Sequence, residues 1–216
     1  MKVAIFSESA ADDAAVRILV DALWGAPTEP ATLQRFESRR GCQNVLKNTP
    51  VLFRHLHYQT DADALVVVLD SNGSPLHAAQ HDEAAPTDED CRLCELRREI
   101  AAARRHLHPV PGRAVLRTAF GLACPSIEAW YRCGLDSHAS EAAWARDLAA
   151  GVRAPTYIRN LKQAVYGTDR PSLTAETECA TREARRLAAD LSLLATHFPG
   201  GFGALMKDIR AWPRDA

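Results

Sequence analysis

Two carboxylates follow apolar segments that look like buried strands. Glu8 comes directly after "KVAIFS", and Asp70 closes the run "ALVVVLD", with Asn72 two residues later. A buried carboxylate needs a partner, because leaving it unpaired costs several kcal/mol or more. Carboxylate and amide oxygens suit a hard cation such as Mg²⁺ or Mn²⁺. The pattern predicts an oxygen-lined metal site, although Asp before Asn-Gly is also common turn chemistry and Glu8 could cap the next helix.

The elements that would hold these residues alternate between strands and helices. Strands are predicted over 2–8, 63–72 and 113–123, with a further short strand near 33–36. Helices are predicted over 10–24, 42–59 (with Pro50 starting a second piece), 88–107, 126–134, 140–151, 155–167 and 175–196. Strands that are apolar on both faces and joined through helices predict an α/β fold, with a mainly parallel sheet flanked by helices. Ligands of such sheets lie at the carboxyl ends of the strands, where Glu8 and Asp70 fall.

The chain of 216 residues is long enough for one large domain with an appendage. We expect residues 1–134 to form the α/β domain, with a loop-helix insertion at about 73–110. Residues 135–216 are expected to form a helical part that packs on the same core.

Composition narrows the functional classes. The net charge is −1, from 26 basic and 27 acidic side chains, which is not the basic balance of a typical nucleic-acid-binding domain. A local basic patch would still be enough for an enzyme. No apolar stretch approaches the ~20 residues of a membrane span, and the apolar start is too short for a signal peptide. With six cysteines expected to be reduced, we predict a cytoplasmic protein without a membrane segment.

A second constellation has metal-ligand spacing. Cys91 and Cys94 form a C-x-x-C pair. Histidines flank the pair on both sides: His77, His81, His106 and His108. These residues could supply four ligands of a structural Zn²⁺, but their spacing does not match a standard zinc finger. The alternative is a pair of helix cysteines beside surface histidines.

The order of the acidic residues resembles the TOPRIM domain, which has a Glu after its first strand and an Asp-x-Asp after a later one. The segments "PSIEAWYRCG" (125–134) and "HFPGGFGALMKDIRAW" (197–212) resemble the small stand-alone TOPRIM-like proteins grouped as domain of unknown function 4276. The resemblance touches most of the chain and includes the OLD-type nucleases.

The resemblance implies a role for each acidic position. Glu8 matches the first TOPRIM glutamate, and Asp12 matches a further acidic residue of OLD-type nucleases. Asp70 and Asn72 match the Asp-x-Asp pair. Two departures stand out: Ser9 replaces the usual Gly after the glutamate, and Asn72 replaces the second Asp, which removes a negative charge from the site.

The later part of the chain completes the implied site. Ser126 and Glu128 fall at the third acidic motif of OLD-type proteins, and Lys162 matches their late lysine, which would offset charge on a phosphate. The resemblance therefore implies a nuclease that uses Mg²⁺ or Mn²⁺ on DNA or RNA. It further implies an effector of antiviral defence that works with a separate ATPase. The alternative is a non-catalytic interaction subunit whose metal site is degenerate.

Overall fold

Four parallel strands form the sheet at the centre of the protein. The computed structural model describes residues 1–33, 41–78, 80–83 and 91–214. The strands of this part are β1 (Lys2–Phe6), β2 (Glu29–Pro30), β3 (Ala64–Asp70) and β4 (Arg117–Ala123). They lie in the order β2-β1-β3-β4, and every pair is parallel. The predicted α/β class, with a parallel sheet flanked by helices, is confirmed.

Helices make up most of the remaining described chain. They are α1 (Ala10–Trp24), α2 (Cys42–Gln59), α3 (Gln80–Glu83), α4 (Arg92–Arg105), α5 (Ile127–Arg132), α6 (Glu141–Ala149), α7 (Ala154–Tyr166), α8 (Leu173–Ala188), α9 (Leu191–His197) and α10 (Phe202–Arg210). No helix in these described residues has the length and apolar character needed to cross a membrane.

Both faces of the sheet are buried, which explains why β3 is apolar throughout. Ala64, Val66 and Val68 pack into one hydrophobic cluster with α1, α8 and α10. The alternate residues of β3 pack into a second cluster with α2 and α4 on the other face: Leu65, Val67 and Leu69. Helices from 135–216 thus contribute to the same hydrophobic cluster as β1 and α1. The division into residues 1–134 and 135–216 stays a prediction.

The sheet has a switch point between β1 and β3. The chain leaves β1 through α1 on one face and reaches β2 at the edge. It then returns through α2 on the opposite face and forms β3 on the other side of β1. In an open α/β sheet, the crevice beyond the strand ends at such a reversal is the usual ligand site. Residues that follow β1 and β3 are therefore placed where a ligand is expected.

Helix α1 begins and ends at strong local signals. The Ser9 side chain accepts a hydrogen bond from the Asp12 backbone N–H at 3.1 Å, which caps the first turn. Asp13 accepts hydrogen bonds from the backbone N–H and the hydroxyl of Ser7, at 2.9 and 2.6 Å. The positive φ of 83° at Gly25 ends the helix. These contacts fix the first turn of α1 beside the end of β1.

Several predicted element bounds are wrong. Strand β1 ends at Phe6 rather than at residue 8, because Ser7 turns toward Asp13. The structure has a short strand at Glu29–Pro30 that is not predicted; of the strand predicted near 33–36, Leu33 lies outside any strand, and 34–36 fall outside the described residues. Strand β4 begins at 117 rather than 113, because Ala64, the first residue of β3, pairs with Arg117.

The helix predictions also need correction. Helix α2 is continuous through Pro50, since Leu52 and Phe53 after the proline are buried on the same sheet face as the residues before it. Helix α4 begins at 92, with Cys91 as its N-cap residue; the predicted start at 88 lies outside the described residues. The predicted helix 175–196 is two helices, because the Asp190 side chain accepts from the Leu193 N–H and caps a new helix.

Candidate functional site

The two strand-end carboxylates lie together at the switch point. Glu8 Oε1 accepts a hydrogen bond of 2.9 Å from the Asp70 backbone N–H. Strand β1 ends at Phe6, so it has no backbone oxygen opposite the Asp70 N–H. The Glu8 side chain accepts this hydrogen bond instead. The prediction that Glu8 and Asp70 converge is therefore confirmed by a direct contact.

Asp70 is held by three separate parts of the chain. Besides the contact from Glu8, its Oδ1 accepts a hydrogen bond of 2.9 Å from the backbone N–H of Ile127, the first residue of α5. Its backbone oxygen accepts one of 2.8 Å from Arg92 Nη1. The Ile127 contact orients the Asp70 side chain, and the other two contacts hold its backbone.

Glu128 enters the same site from α5. Its side chain is buried, with 3% exposure, and its Oε2 accepts a 2.6 Å hydrogen bond from the Ser126 hydroxyl. Lys162 Nζ, from α7, lies 3.7 Å from Glu128 Oε1. Glu128 and Lys162 therefore lie close to each other and near Asp70, while their roles stay a prediction.

Burial is the main cause of raised pKa values at this site, and neighbouring carboxylates add to it at Asp12 and Asp70. Burial raises the pKa of Asp12 to about 8, and the neighbouring charge of Glu128 adds to this. Burial also raises the pKa of Asp70 well above its usual range, with further contributions from Glu8, Glu128 and Asp12. Burial raises the pKa of Glu8, although the hydrogen bond from Asp70 and the charge of Arg92 oppose this. We call these four residues, Glu8, Asp12, Asp70 and Glu128, the acidic cluster.

Three more charged side chains lie near the acidic cluster: Lys162, Arg92 and Glu176. Burial disfavours the charged form of Lys162, but Glu128, Glu176 and the other carboxylates outweigh it and raise the pKa of the lysine. Burial raises the pKa of Glu176, on the first turn of α8. Sequence reasoning missed Glu176 and Arg92. Glu176 follows the N-cap residue Ser172 and looks like an ordinary acidic residue of a helix start.

Tyr131 adds a buried hydroxyl beside the acidic cluster. Its side chain is fully buried, and its hydroxyl has no hydrogen-bond partner among the described residues. Burial raises the pKa of Tyr131 well above its usual range, and Asp12, Glu128 and Asp70 add to the effect.

Asn72 lies in a turn after β3, as one of the two interpretations of the sequence predicts. It is exposed, has a positive φ of 48°, and donates its backbone N–H to the Pro125 oxygen at 2.9 Å. Asn tolerates this left-handed conformation better than most residues. Together with Arg159 and Lys162, it also lines a cleft of about 400 Å³. Ligation of a metal by Asn72 stays a prediction.

The C-x-x-C pair meets the two preceding histidines. Four potential ligand atoms lie within 4.8 Å of one another, and they belong to His77, His81, Cys91 and Cys94. Within the described ranges, this is the only set of three or more Cys, His, Asp or Glu residues with ligand atoms this close. The interpretation as helix cysteines beside surface histidines is wrong for His77, which is 5% exposed. The long segment between His81 and Cys91 concealed this proximity, and His106 and His108 are not part of the set.

Basic side chains are not evenly placed around the sheet. Arg104 donates to the Thr118 hydroxyl at 3.0 Å, at the start of β4 and so at the opposite edge from the acidic cluster. Arg186 donates to the backbone oxygens of Tyr131 and Cys133 and is a structural residue. These two arginines therefore support the fold, whereas the basic side chains at the strand ends include Lys162 of α7 and Arg92 of α4.

Comparison of the chain with protein-family models, curated proteins and solved structures gives no match. The resemblance to the TOPRIM domain therefore stays a prediction, and functional inference rests on the acidic cluster, its lysine and the Cys/His set.

Proposed function

We propose that this protein is a metal-dependent phosphodiester hydrolase, a nuclease of TOPRIM type that acts on DNA or RNA. The observation that carries the proposal is the meeting of Glu8, Asp70 and Glu128 with Lys162 beyond the strand ends, at the switch point of a parallel sheet. Burial and neighbouring carboxylates raise the pKa values of Asp12 and Asp70, and a bound cation would stabilise their charged forms.

The acidic cluster suits Mg²⁺ or Mn²⁺ by the chemistry of its donors. All its side-chain donors are carboxylate oxygens, and Tyr131 adds a buried hydroxyl that lacks a partner among the described residues. The carboxylates are not all within 4.8 Å of one another, but Mg²⁺ usually keeps several waters and binds only one or two carboxylates directly. Asp70 and Glu128 would hold the cation, with Asp12 and Glu8 close enough to contribute to its field.

The remaining residues bind and orient the substrate. A bound Mg²⁺ or Mn²⁺ would polarise a phosphodiester and lower the pKa of a water. Lys162, kept charged by its acidic neighbours, would stabilise negative charge on a phosphate oxygen. Arg159 shares the adjacent cleft with Lys162 and would contact a neighbouring phosphate. The resemblance to OLD-type nucleases extends the proposal to antiviral defence and a separate ATPase partner, and the composition of the chain extends it to a cytoplasmic location.

Cleavage assays on the purified full chain test this proposal. Single-stranded and duplex DNA and RNA are incubated with Mn²⁺, with Mg²⁺ or without divalent cation, and cleavage is expected only with a cation. Asp70→Asn and Lys162→Met are expected to abolish it, while Asp61→Asn, at an exposed ion pair with Lys2, is expected to retain it. Cleavage that persists in Asp70→Asn, or without divalent cation, would overturn the proposed mechanism.

A second candidate is a non-catalytic subunit that binds a partner or a nucleic-acid end through a degenerate metal site. The exposed, neutral Asn72 at the second Asp-x-Asp position favours it. Calorimetric titration of Mg²⁺ and Mn²⁺ separates the two candidates before any substrate is known. Binding that is lost in Asp70→Asn supports the hydrolase, whereas no binding by the native protein supports the interaction subunit.

A further inference from the structure

We propose that His77, His81, Cys91 and Cys94 bind one structural Zn²⁺, in a centre separate from the acidic cluster. The centre would join the chain after β3 to the start of α4. Its existence does not depend on the proposed hydrolase activity.

Three nitrogen–sulfur distances within the set match those of a tetrahedral zinc site. His77 Nδ1 lies 3.6 Å from Cys91 Sγ and 3.5 Å from Cys94 Sγ, and His81 Nδ1 lies 3.5 Å from Cys94 Sγ. With Zn–S of about 2.3 Å and Zn–N of about 2.0–2.1 Å, a tetrahedral centre requires sulfur–nitrogen separations of about 3.6 Å. Two sulfurs and two imidazole nitrogens are also a common donor set of structural zinc.

Hydrogen bonding alone accounts poorly for the arrangement. His77 Nδ1 contacts both sulfurs, yet a ring nitrogen has either one proton or one lone pair in the ring plane. It can therefore make a good hydrogen bond to only one of the two sulfurs. A cation at the centre of the set satisfies all four atoms at once.

The surroundings hold the ligands in place before any metal binds. Cys91 and Cys94 are 0% and 2% exposed, and they lie at the N-cap and the first turn of α4. The His77 backbone oxygen packs against Gly200, and a Cβ at that glycine would collide with it. Such a site loses little conformational freedom on binding a metal.

One contact distinguishes the metal-bound and metal-free arrangements. Arg97 Nη1 lies 3.4 Å from His77 Nε2, which could accept a hydrogen bond from it only if the proton is on Nδ1. Ligation through Nδ1 puts the proton on Nε2 and breaks this weak hydrogen bond. Arg97 also pairs with Asp208 at 3.3 Å, so its guanidinium keeps a partner in either state.

The proposed zinc centre is next to the strand end that holds Asp70. Arg92 directly follows Cys91 and donates to the Asp70 backbone oxygen at 2.8 Å. Fixing Cys91 therefore fixes the helix start from which Arg92 reaches the acidic cluster. We expect removal of zinc to loosen this contact as well as the loop after β3.

The first experiment measures metal content in the native chain. The protein is expressed without a polyhistidine tag and purified without chelators, and elemental analysis is expected to give about one equivalent of zinc per chain. Replacement by Co²⁺ is expected to give the intense visible bands of tetrahedral cobalt and a thiolate charge-transfer band. A folded protein that contains no zinc and binds neither Zn²⁺ nor Co²⁺ on titration would overturn the proposal.

Variants assign the ligands. Cys94→Ser is expected to lose the zinc and the cobalt bands, while Cys179→Ser, a partly exposed cysteine of α8, is expected to keep both. If Cys94→Ser does not fold, His81→Ala offers a milder test, because His81 is less buried than the cysteines and its loss should shift the cobalt spectrum. Full zinc content and an unchanged cobalt spectrum in both variants would place the metal elsewhere. A failure of the nuclease assay leaves all these outcomes unaffected.

Discussion

Replacing Asp12 by Asn should stabilise the protein in the absence of divalent cations. The carboxyl is 7% exposed, and its burial, with a contribution from the neighbouring charge of Glu128, raises its pKa from 3.8 to about 8. Asn has nearly the same shape and carries no charge. The substitution therefore removes the cost of burying an ionisable group while keeping the packing.

The magnitude follows from the linkage between proton binding and folding. In the unfolded chain Asp12 ionises near pH 3.8, whereas in the folded chain it keeps its proton until about pH 8. Between these values the folded state binds more protons, so wild-type stability should fall as the pH rises from about 4 to 8 and then level off. At pH 7 the difference is about three pKa units at about 1.36 kcal/mol each, an upper limit of about 4 kcal/mol. Because coupled carboxylates share the effect, we expect a gain on the order of 2 kcal/mol for Asp12→Asn.

Urea unfolding at pH 5, 7 and 9 without divalent cation measures the effect. The gain of Asp12→Asn over wild type should grow from pH 5 to pH 9, and the thermal midpoint at pH 7 should rise by about 4–8 °C. The matched control is Asp13→Asn. Asp13 accepts two hydrogen bonds from Ser7, so its substitution should destabilise the protein at all three pH values. If Asp12→Asn destabilises the protein as Asp13→Asn does, the acidic cluster does not repel itself and the electrostatic basis of the metal site fails.

Three further predictions concern the site and its support. Mg²⁺ binding near pH 7 should release protons, because burial raises the pKa of Asp12 to about 8 and a nearby cation would lower it; calorimetry in buffers of different ionisation enthalpy counts the protons, and a count of zero would refute the link between cation binding and ionisation. Asn72→Asp, at an exposed turn, should fold normally and tighten Mg²⁺ binding several-fold by adding a nearby charge, whereas unchanged affinity in the titration makes Asn72 a turn residue only. Gly200→Ala should lower the thermal midpoint because its Cβ would collide with a backbone oxygen, while Gly203→Ala, whose nearest neighbour is at 3.6 Å, should not; equal midpoints would contradict the close packing.

The sheet could be predicted from the sequence because its strands obey a local rule. Residues 64–69 are buried on both faces, so each had to be apolar, and the run stops where the strand leaves the sheet at Asp70. The same reasoning fails at the helix ends. The apolar stripe of Leu187, Leu191 and Leu194 continues across the break between α8 and α9, so periodicity concealed it. The side chain of Asp190 was the available signal, since Asp is a favoured N-cap residue.

The sites could be predicted only in part, because some of their residues come together through long-range packing. Glu8 and Asp70 meet because parallel strands place their carboxyl ends at one edge, a consequence of topology that the pattern of strands and helices implies. Glu176 reaches the cluster from α8, about a hundred residues after Asp70, and no local pattern predicts that packing. The meeting of His77 with Cys91 likewise depends on how the chain after β3 folds back on α4.

The carboxylates of the acidic cluster stay close together because the contacts of Asp70 hold the strand end in place. Carboxylates that repel one another would move apart if the strand end were free. Asp70 is instead held by three different parts of the chain: its N–H by Glu8, its Oδ1 by Ile127 and its backbone oxygen by Arg92. The repulsion therefore remains in the folded state as raised pKa values, and a bound cation can relieve it. Arg92 depends in turn on the start of α4, so a zinc ion on Cys91 would help to keep the carboxylates close together.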